Sequence, residues 1–378
     1  MCRGSDLSTK GIVKVALIMI RKWKIVSWQE TVTSGKRVLV VGSARESAGG
    51  VSEVIRTMSH MPVWRQYGCR WLGTQIQRNY LWKLWYALKA NVIALFIIWR
   101  YGIVHFHTVP DRNGLLIQLP ILLMAWAGRK RIIMHVHMGN QLADHTHNRL
   151  FKWCLRRAHR IVLLAPKWKR MFEENYADIT TPVTVVYNAV EKVPEVKPEE
   201  KRPIIMMAAY LNDNKAPDVL LKAWKKLEAK YPQWKVEILG NGEVERFRRM
   251  AEEMGLKERV DFKGYVTGME KEALFRETSI YCMCSYEEGF PMVVLEAWMH
   301  GMALVTTPVG GLPDVLEEGR NALTFPFGDA DALAEQLERL MADEDLRKQM
   351  AGFSRRFAVQ QFSTEEINKC WNENYGSL

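Results

Sequence analysis

Short apolar runs closed by glycine, proline or polar turns recur along the chain, separated by stretches with apolar residues at helical spacing. That alternation predicts strands covered by helices, an α/β fold with parallel sheets. Lys36-Arg37-Val38-Leu39-Val40-Val41-Gly42 reads as a first buried strand, because parallel strands are apolar on both faces. Ala48-Gly49-Gly50-Val51 then turns into a helix running through Met58, a strand–glycine–helix anion site. Ile103–His107 and Arg131–His137 read as further strands, each ending in His-x-His. Strand alternation puts His105 with His107, and His135 with His137, on common faces. Glu191–Pro203, dense in Glu, Lys and Pro, reads as a linker. Beyond it come Ile204–Ala208, a helix around Val219–Lys230, Trp234–Leu239 ending in Gly240-Asn241-Gly242, and Val260–Tyr265. The last helices span Asp331 to Gly376.

One segment carries more chemistry than the rest. The apolar strand Ile280–Cys284 leads into a glycine loop, and Pro291 is expected to open a helix as its first residue. The helix closes at His300-Gly301, and the apolar run Ala303–Thr306 leads into Pro308-Val309-Gly310-Gly311-Leu312-Pro313-Asp314. Strand, loop, helix, strand and second glycine loop make one doubly wound unit. The amides of Met292, Val293 and Val294 should lack intrahelical acceptors and form an anion site. Glu288 sits in the loop before them, and Glu296 about two turns into the helix. A diphosphate on those amides, with carboxylates to accept from hydroxyls on either side, suits a nucleotide-sugar. Taken alone, the Glu288–Glu296 spacing also fits a buried helix with a capping acid.

At 378 residues the chain has room for two domains. Hydrophobic content of 48% with 25% charged residues excludes a disordered protein. Residues 1–190 carry net +19 and residues 191–378 net −8, so the first half is expected to face something anionic. Its cations are interleaved with Trp, Leu and Ile, which fits an anionic membrane face or lipid-diphosphate acceptor better than nucleic acid. A basic protein with no such partner is the bland alternative. Cys2, Cys69, Cys154, Cys282, Cys284 and Cys370 show neither a disulfide framework nor zinc spacing, which points to a reducing cytoplasm. Val15–Ile20 is too short for a secretory signal. Ala90–Trp99 and Gly114–Gly128 fall short of a spanning helix, so no transmembrane segment is expected. Gly11–Trp28, with Lys14, Arg21, Lys22 and Lys24, reads equally as an interfacial segment, a frayed extension or the product of a start codon placed ahead of Met19.

Residues 71–101 set Trp71, Tyr80, Trp82, Trp85, Tyr86, Phe96, Trp99 and Tyr101 beside Arg78, Lys83, Lys89 and Arg100. Aromatics with cations at helical spacing mark an interfacial face; a core-facing helix pair with a solvated basic edge is the competing view. The His-x-His pairs, including His145 and His147, invite a metal, but no carboxylate or Cys completes a ligand set. They read instead as strand-end residues lining a cleft. Asp329-Ala330-Asp331 precedes the apolar-periodic Ala332–Leu340 and reads as an N-cap rather than a metal motif. Neither a metal nor another cofactor is expected.

Four runs between Ser285 and Asp329 belong together: Glu-Gly-Phe-Pro-Met-Val-Val-Leu-Glu-Ala from Glu288, Thr-Pro-Val-Gly-Gly-Leu-Pro-Asp from Thr307, Gly-Arg-Asn-Ala-Leu from Gly319, and Pro-Phe-Gly-Asp from Pro326. They resemble family 4 of the retaining nucleotide-sugar glycosyltransferases. The resemblance runs from about Lys36 to the C-terminus and is looser in the first half. It implies the GT-B architecture, two Rossmann-like domains facing across a cleft. Here these would be residues 36–190 and 204–355, with a linker at 191–203, an extension at 1–35 and a helix at 356–378 crossing back to the first domain.

The resemblance also implies roles. Glu288 lies against the donor sugar near its anomeric carbon, Glu296 reaches the ribose, and Lys215 neutralises the diphosphate. An Arg common in the family is Tyr210 here, so one cation is missing; the helix amides or a first-domain cation are candidates to replace it. Gly49 and Gly50 match a Gly-Gly turn near the donor phosphate or acceptor. A strand-end His contacts the donor sugar, and with Met138 before Gly139 that role falls to His137 ahead of His135. Val183–Val186 with Tyr187-Asn188-Ala189-Val190 resembles the family's closing strand and turn. Gly240, Gly242, Tyr265 and Val266 lie at strand ends, where open α/β sheets bind ligands, and join Gly289, Phe290, Met292 and Val293 in the expected donor pocket. The implied activity is metal-independent, retaining transfer to a lipid-linked or polysaccharide acceptor in cell-surface glycan synthesis. It would be carried out by a cytoplasmic protein peripheral at the inner membrane face. A sugar-nucleotide epimerase of the same fold and a non-catalytic membrane or polyanion-binding protein stay open as alternatives.

Overall fold

The computed structural model describes residues 36–47, 49–76 and 79–378. The interfacial reading of Gly11–Trp28, and the readings that use Ala48 and Arg78, lie outside the described residues. Two six-stranded sheets carry the fold. The first contains β1 (Val38–Ser43), β2 (Arg70–Gln75), β3 (Ile103–Thr108), β4 (Arg131–Val136), β5 (Arg160–Leu163) and β6 (Val183–Val185), in the order β2-β1-β3-β4-β5-β6. The second contains β7 (Arg202–Ala208), β8 (Lys235–Leu239), β9 (Val260–Gly264), β10 (Thr278–Met283), β11 (Ala303–Thr306) and β12 (Leu323–Thr324), in the order β12-β11-β10-β7-β8-β9. Neighbouring strands pair parallel in both sheets. The order reverses between β1 and β3 and again between β7 and β10, the switch points at which doubly wound sheets bind ligands. The expected α/β, two-sheet Rossmann-like fold is therefore present.

Helices of the first half are α1 (Gly50–His60), α2 (Pro62–Gln66), α3 (Tyr80–Ile97), α4 (Arg112–Ala127), α5 (Arg149–Arg157) and α6 (Pro166–Asn175). Asn79 caps α3 by accepting from the Trp82 amide, and Asp111 caps α4 by accepting from the Gly114 amide. The apolar stretch here is longer than the sequence runs suggested. Tyr80–Arg100 spans 21 residues at mean hydropathy 1.5, long and apolar enough to cross a bilayer by length and composition alone. Lys83 and Lys89 interrupt the apolar run but not the helix. Ala90, Ile93, Ala94 and Ile97 are buried, whereas Tyr80, Leu81, Leu84, Leu88, Leu95, Phe96 and Trp99 are exposed.

The second half adds α7 (Pro217–Leu227), α8 (Val244–Glu253), α9 (Gly268–Glu277), α10 (Met292–Met299), α11 (Ala330–Ala342), α12 (Glu344–Phe362) and α13 (Thr364–Gly376). Helix α10 starts one residue later than expected: Pro291 is its N-cap, extended at ψ 117°, rather than its first turn. Gly301 ends it at φ +65°, a left-handed value glycine adopts without strain. Asp329 caps α11 through bonds from the Asp331 and Ala332 amides, as its spacing predicts. Helix α13 packs on the first sheet, where Trp371 and Tyr375 share a core with Val38, Val40 and Ile103. The Val63 amide bonds Asn368 Oδ1 at 2.7 Å, and Arg160 bonds Asn374 at 3.1 Å.

Candidate active site

The loop after β10 is held from several sides. Thr307 Oγ1 donates to the Ser285 carbonyl at 2.6 Å, and Ser285 Oγ donates to Glu288 Oε1 at 2.8 Å. The Lys215 ammonium is ion-paired with the Glu288 carboxylate, both side chains being largely buried. Lys215 lies between β7 and α7, on a turn in which its amide bonds Asn212 Oδ1 at 3.1 Å. Asn214 ties this turn to the acidic loop, accepting from the Tyr286 amide at 2.7 Å and donating to the Glu287 carbonyl at 3.2 Å.

Glu296 is the fifth residue of α10, a little over one turn in rather than two. Its Oε1 accepts from Lys271 Nζ of α9 at 2.7 Å, while Oε2 is buried without a partner. Lys271 was missed in the sequence, where nothing in a surface-type helix twenty-five positions upstream marks it as the partner of Glu296. Both carboxylates act on one group. Burial first, and after it Glu296 and Glu288, hold the Tyr281 phenol well above its ordinary range, and its hydroxyl bonds the Ala208 carbonyl at 3.1 Å. The acids of both Lys–Glu pairs thus raise the pKa of one buried tyrosine. Of the three amides expected to be open, Val294 bonds the Pro291 carbonyl at 3.3 Å. Met292 and Val293 donate to no acceptor among the described residues and remain available to an anion.

The loop is also pressed against the first domain. A Cβ on Gly289 would collide with the His137 carbonyl, so only glycine allows that approach. Trp168 Nε1 and the Gly311 amide both donate to the Gly289 carbonyl, at 3.0 and 2.9 Å. Asn188 Nδ2 donates to the Phe290 carbonyl at 2.8 Å, and Asp314 accepts from the Lys167 amide and from Arg170. The Phe290 ring itself is buried against Tyr187 and Phe362.

The remaining sequence candidates scatter more widely. His137 is buried, its Nε2 lies 2.8 Å from His107 Nδ1, and burial drives its pKa down to about 3, so it is neutral at physiological pH. Gly240 (φ +135°) and Gly242 (φ +107°) have a packing reason to be glycine: a Cβ on either would strike the carbonyl of Ala209 or Leu211 in the strand end leading to Lys215. Tyr265 and Tyr210 are exposed and Val266 is buried. Gly49 caps α1 and Gly50 opens it, and a Cβ on Gly50 would meet open space. Among the described residues no hydrogen bond joins this turn to the Glu288 loop. A cavity of about 380 Å³ at the β9 edge, lined by Lys235, Arg248 and Arg259 among others, contains none of these candidates.

Comparison with known proteins shows what this geometry is similar to. Residues 190–357 match the model of the glycosyl transferases group 1 family. The D-inositol 3-phosphate glycosyltransferase of Corynebacterium jeikeium is 31% identical over 181 residues, 45% of this chain and 43% of that protein. The lipopolysaccharide core biosynthesis glycosyltransferase LpsE of Rhizobium meliloti is 27% identical over 266 residues, 67% of this chain and 74% of that protein. Across the first curated relatives the matched stretch spans between 29% and 60% of their own length. Among solved structures, Anabaena HepE in complex with UDP-glucose superposes with a TM-score of 0.71 at 17% identity, covering 91% of this chain and 100% of that one; this is a likeness of fold. Residues 190–357 are thus similar to the glycosyl transferases group 1 family, within a two-sheet, Rossmann-like fold shared with glycosyltransferases of known structure.

Proposed function

We propose that the chain is a retaining glycosyltransferase that moves a sugar from a nucleotide-sugar to a lipid-linked or polysaccharide acceptor in cell-surface glycan synthesis. The observation that carries this reading is the pair of Lys–Glu contacts, Lys215–Glu288 before α10 and Lys271–Glu296 on it, with the open amides of Met292 and Val293 between the two acids in sequence. The donor diphosphate lies on those amides and draws Lys215 away from Glu288. The released Glu288 carboxylate accepts from sugar hydroxyls beside the anomeric carbon, and Glu296 accepts from the vicinal ribose hydroxyls. Lys271 supplies the second cation that Tyr210 cannot. As the bond from the anomeric carbon to the leaving diphosphate breaks, negative charge grows on phosphate already facing two ammonium groups and a helix N-terminus. The acceptor hydroxyl attacks from the same face and passes its proton to the departing phosphate oxygen, so configuration is retained. These groups supply the countercharge a metal supplies elsewhere, hence metal-independent transfer. Neutral His137 offers Nδ1 to a sugar hydroxyl. Gly49 and Gly50, Gly240 and Gly242, and Tyr265 with Val266 border the donor, and Gly289 and Phe290 contribute backbone.

The acceptor is met at a membrane. The exposed face of α3 is continued by Leu116, Leu123 and Trp126 of α4, with Lys89 over Tyr86 and Arg157 over Trp126 and Trp153. Aromatic rings beside cations suit a headgroup layer, so the protein works as a peripheral enzyme at the cytoplasmic face. The likeness to a UDP-glucose complex and to a lipopolysaccharide core enzyme supports the donor and product classes. A panel of UDP-, GDP- and ADP-sugars tests the proposal: slow hydrolysis or transfer is expected with at least one, and failure of every nucleotide-sugar to bind overturns it.

A further inference from the structure

Four imidazoles meet where β3 and β4 run beneath α13. His107 and His135 are paired in register, with His105 and His137 two residues away on their own strands. All four are buried, and the Trp371 ring lies 4.8 Å from His105 and 5.3 Å from His135. Their hydrogen bonding is incomplete. A neutral imidazole has one N–H to donate and one lone pair to accept with, so each ring needs two partners. His105 Nδ1 meets the Tyr375 hydroxyl and His107 Nδ1 meets His137 Nε2, both at 2.8 Å. His105 Nε2, His107 Nε2 and both nitrogens of His135 have no partner among the described residues. Orphaned polar atoms at this depth are rare in folded proteins and ask for an occupant.

We propose that His105, His107 and His135 form a structural site for a borderline first-row transition-metal ion of the Zn²⁺ class, separate from the Lys215–Glu288 chemistry. One ligand atom from each of the three lies within 4.8 Å of the other two, and each ring has an orphaned nitrogen to offer. The occupied nitrogens fit as well. A metal-bound imidazole usually donates its other N–H to an acceptor that fixes tautomer and orientation; the Tyr375 oxygen serves His105 so, and His137 Nε2 serves His107. The neutral imidazole is the form that ligates. An all-imidazole set refuses Mg²⁺ and Ca²⁺, which require oxygen ligands. Zn–N bonds of about 2.0–2.1 Å place tetrahedral ligand nitrogens roughly 3.3 Å apart, so binding requires the three rings to rotate toward one another, with a water as the fourth ligand. The ion then ties β3 to β4 and, through Tyr375, to α13.

The full chain, loaded with Zn²⁺ and passed into metal-free buffer, should retain one equivalent by elemental analysis. Zn²⁺ at about 100 times its Kd should raise Tm by about 3 °C over chelator-treated protein. Co²⁺ in its place should give the visible absorption of a tetrahedral site. His135→Gln should lose ion and shift together, while His145→Gln keeps both. Nucleoside diphosphate binding with and without chelator is measured alongside, so that failure of the metal site and failure of the donor assignment are told apart. Wild-type retention well below one equivalent with an unchanged Tm overturns the site and leaves the nitrogens to buried water. So does full retention by His135→Gln. The wild-type arms stand even if that variant misfolds.

Discussion

Exchanging Glu288 for Gln removes one charge from the pair with Lys215 while keeping the side chain's shape. Lys215 and Glu288 are only 22% and 14% exposed, so their attraction is incompletely screened. At an effective dielectric near 20, contact charges interact by about 4 kcal/mol, much of it offset by desolvation. Leaving Lys215 without its counter-ion should therefore cost about 1–3 kcal/mol of stability. The consequences for ligand and turnover have opposite signs. A diphosphate no longer competes with Glu288 for the ammonium, so nucleoside diphosphate affinity should stay level or tighten by up to about tenfold. Transfer loses a carboxylate beside the reacting carbon and should fall by about 10²–10³-fold. Lys215→Met should show the reverse pattern, with diphosphate binding about 10–100-fold weaker. Calorimetric titration with the nucleoside diphosphate of the active donor, beside initial-rate transfer kinetics, separates the two variants. A Glu288→Gln protein that transfers within threefold of wild type, or that binds diphosphate as weakly as Lys215→Met, refutes the reasoning.

Three further outcomes are expected. Gly240→Ala adds a Cβ against the Ala209 carbonyl at φ +135° and should cost about 2–4 kcal/mol in urea unfolding, against about 1 kcal/mol for Gly319→Ala, where space is open. Lys201 bonds the His300 carbonyl at 2.7 Å, and burial first, then Arg355 and Arg276, bring its pKa down to about 7 from 10.5. Between those values the unfolded chain holds a proton the folded chain lacks, so this residue makes stability rise with pH from about 7 toward 10.5. Lys201→Met should remove that rise, and unfolding free energies of the two proteins that stay parallel from pH 7 to pH 9 would count against it. Leu84→Glu with Leu88→Glu, both on the exposed face of α3, should abolish salt-sensitive co-sedimentation with anionic vesicles while shifting stability by no more than about 0.5 kcal/mol per site.

Much of the fold was legible because its signals are local. The apolar run Ala303–Thr306 matches β11 residue for residue, Gly301 ends α10, and Asp329 caps α11. Pro291 misled by one residue, since proline's fixed φ suits an N-cap as well as a first turn, and only ψ separates the two. The candidate site was harder to read because its partners lie far apart in sequence. Glu288 and Lys215 meet across 73 positions, and no periodicity in α9 points Lys271 at Glu296. Phe290 is expected in the donor pocket from its motif, but its ring proves to be core. Alternation placed each His-x-His pair on one face, but the register that sets His107 against His135 belongs to the sheet. The length of α3 was hidden by two lysines that a helix carries without ending.

Helix α13 sets an order on the molecule's assembly. The strands of the first sheet are all synthesised by residue 185, yet the helix that lids their core begins at Thr364. During translation, Val38, Val40, Ile103 and the imidazoles beneath Trp371 must wait while an entire second sheet is built. The nascent first sheet is therefore an unfinished surface open to chaperones until that helix emerges. A chain arrested at Ser363 should present a closed second sheet and a first sheet that proteases still recognise.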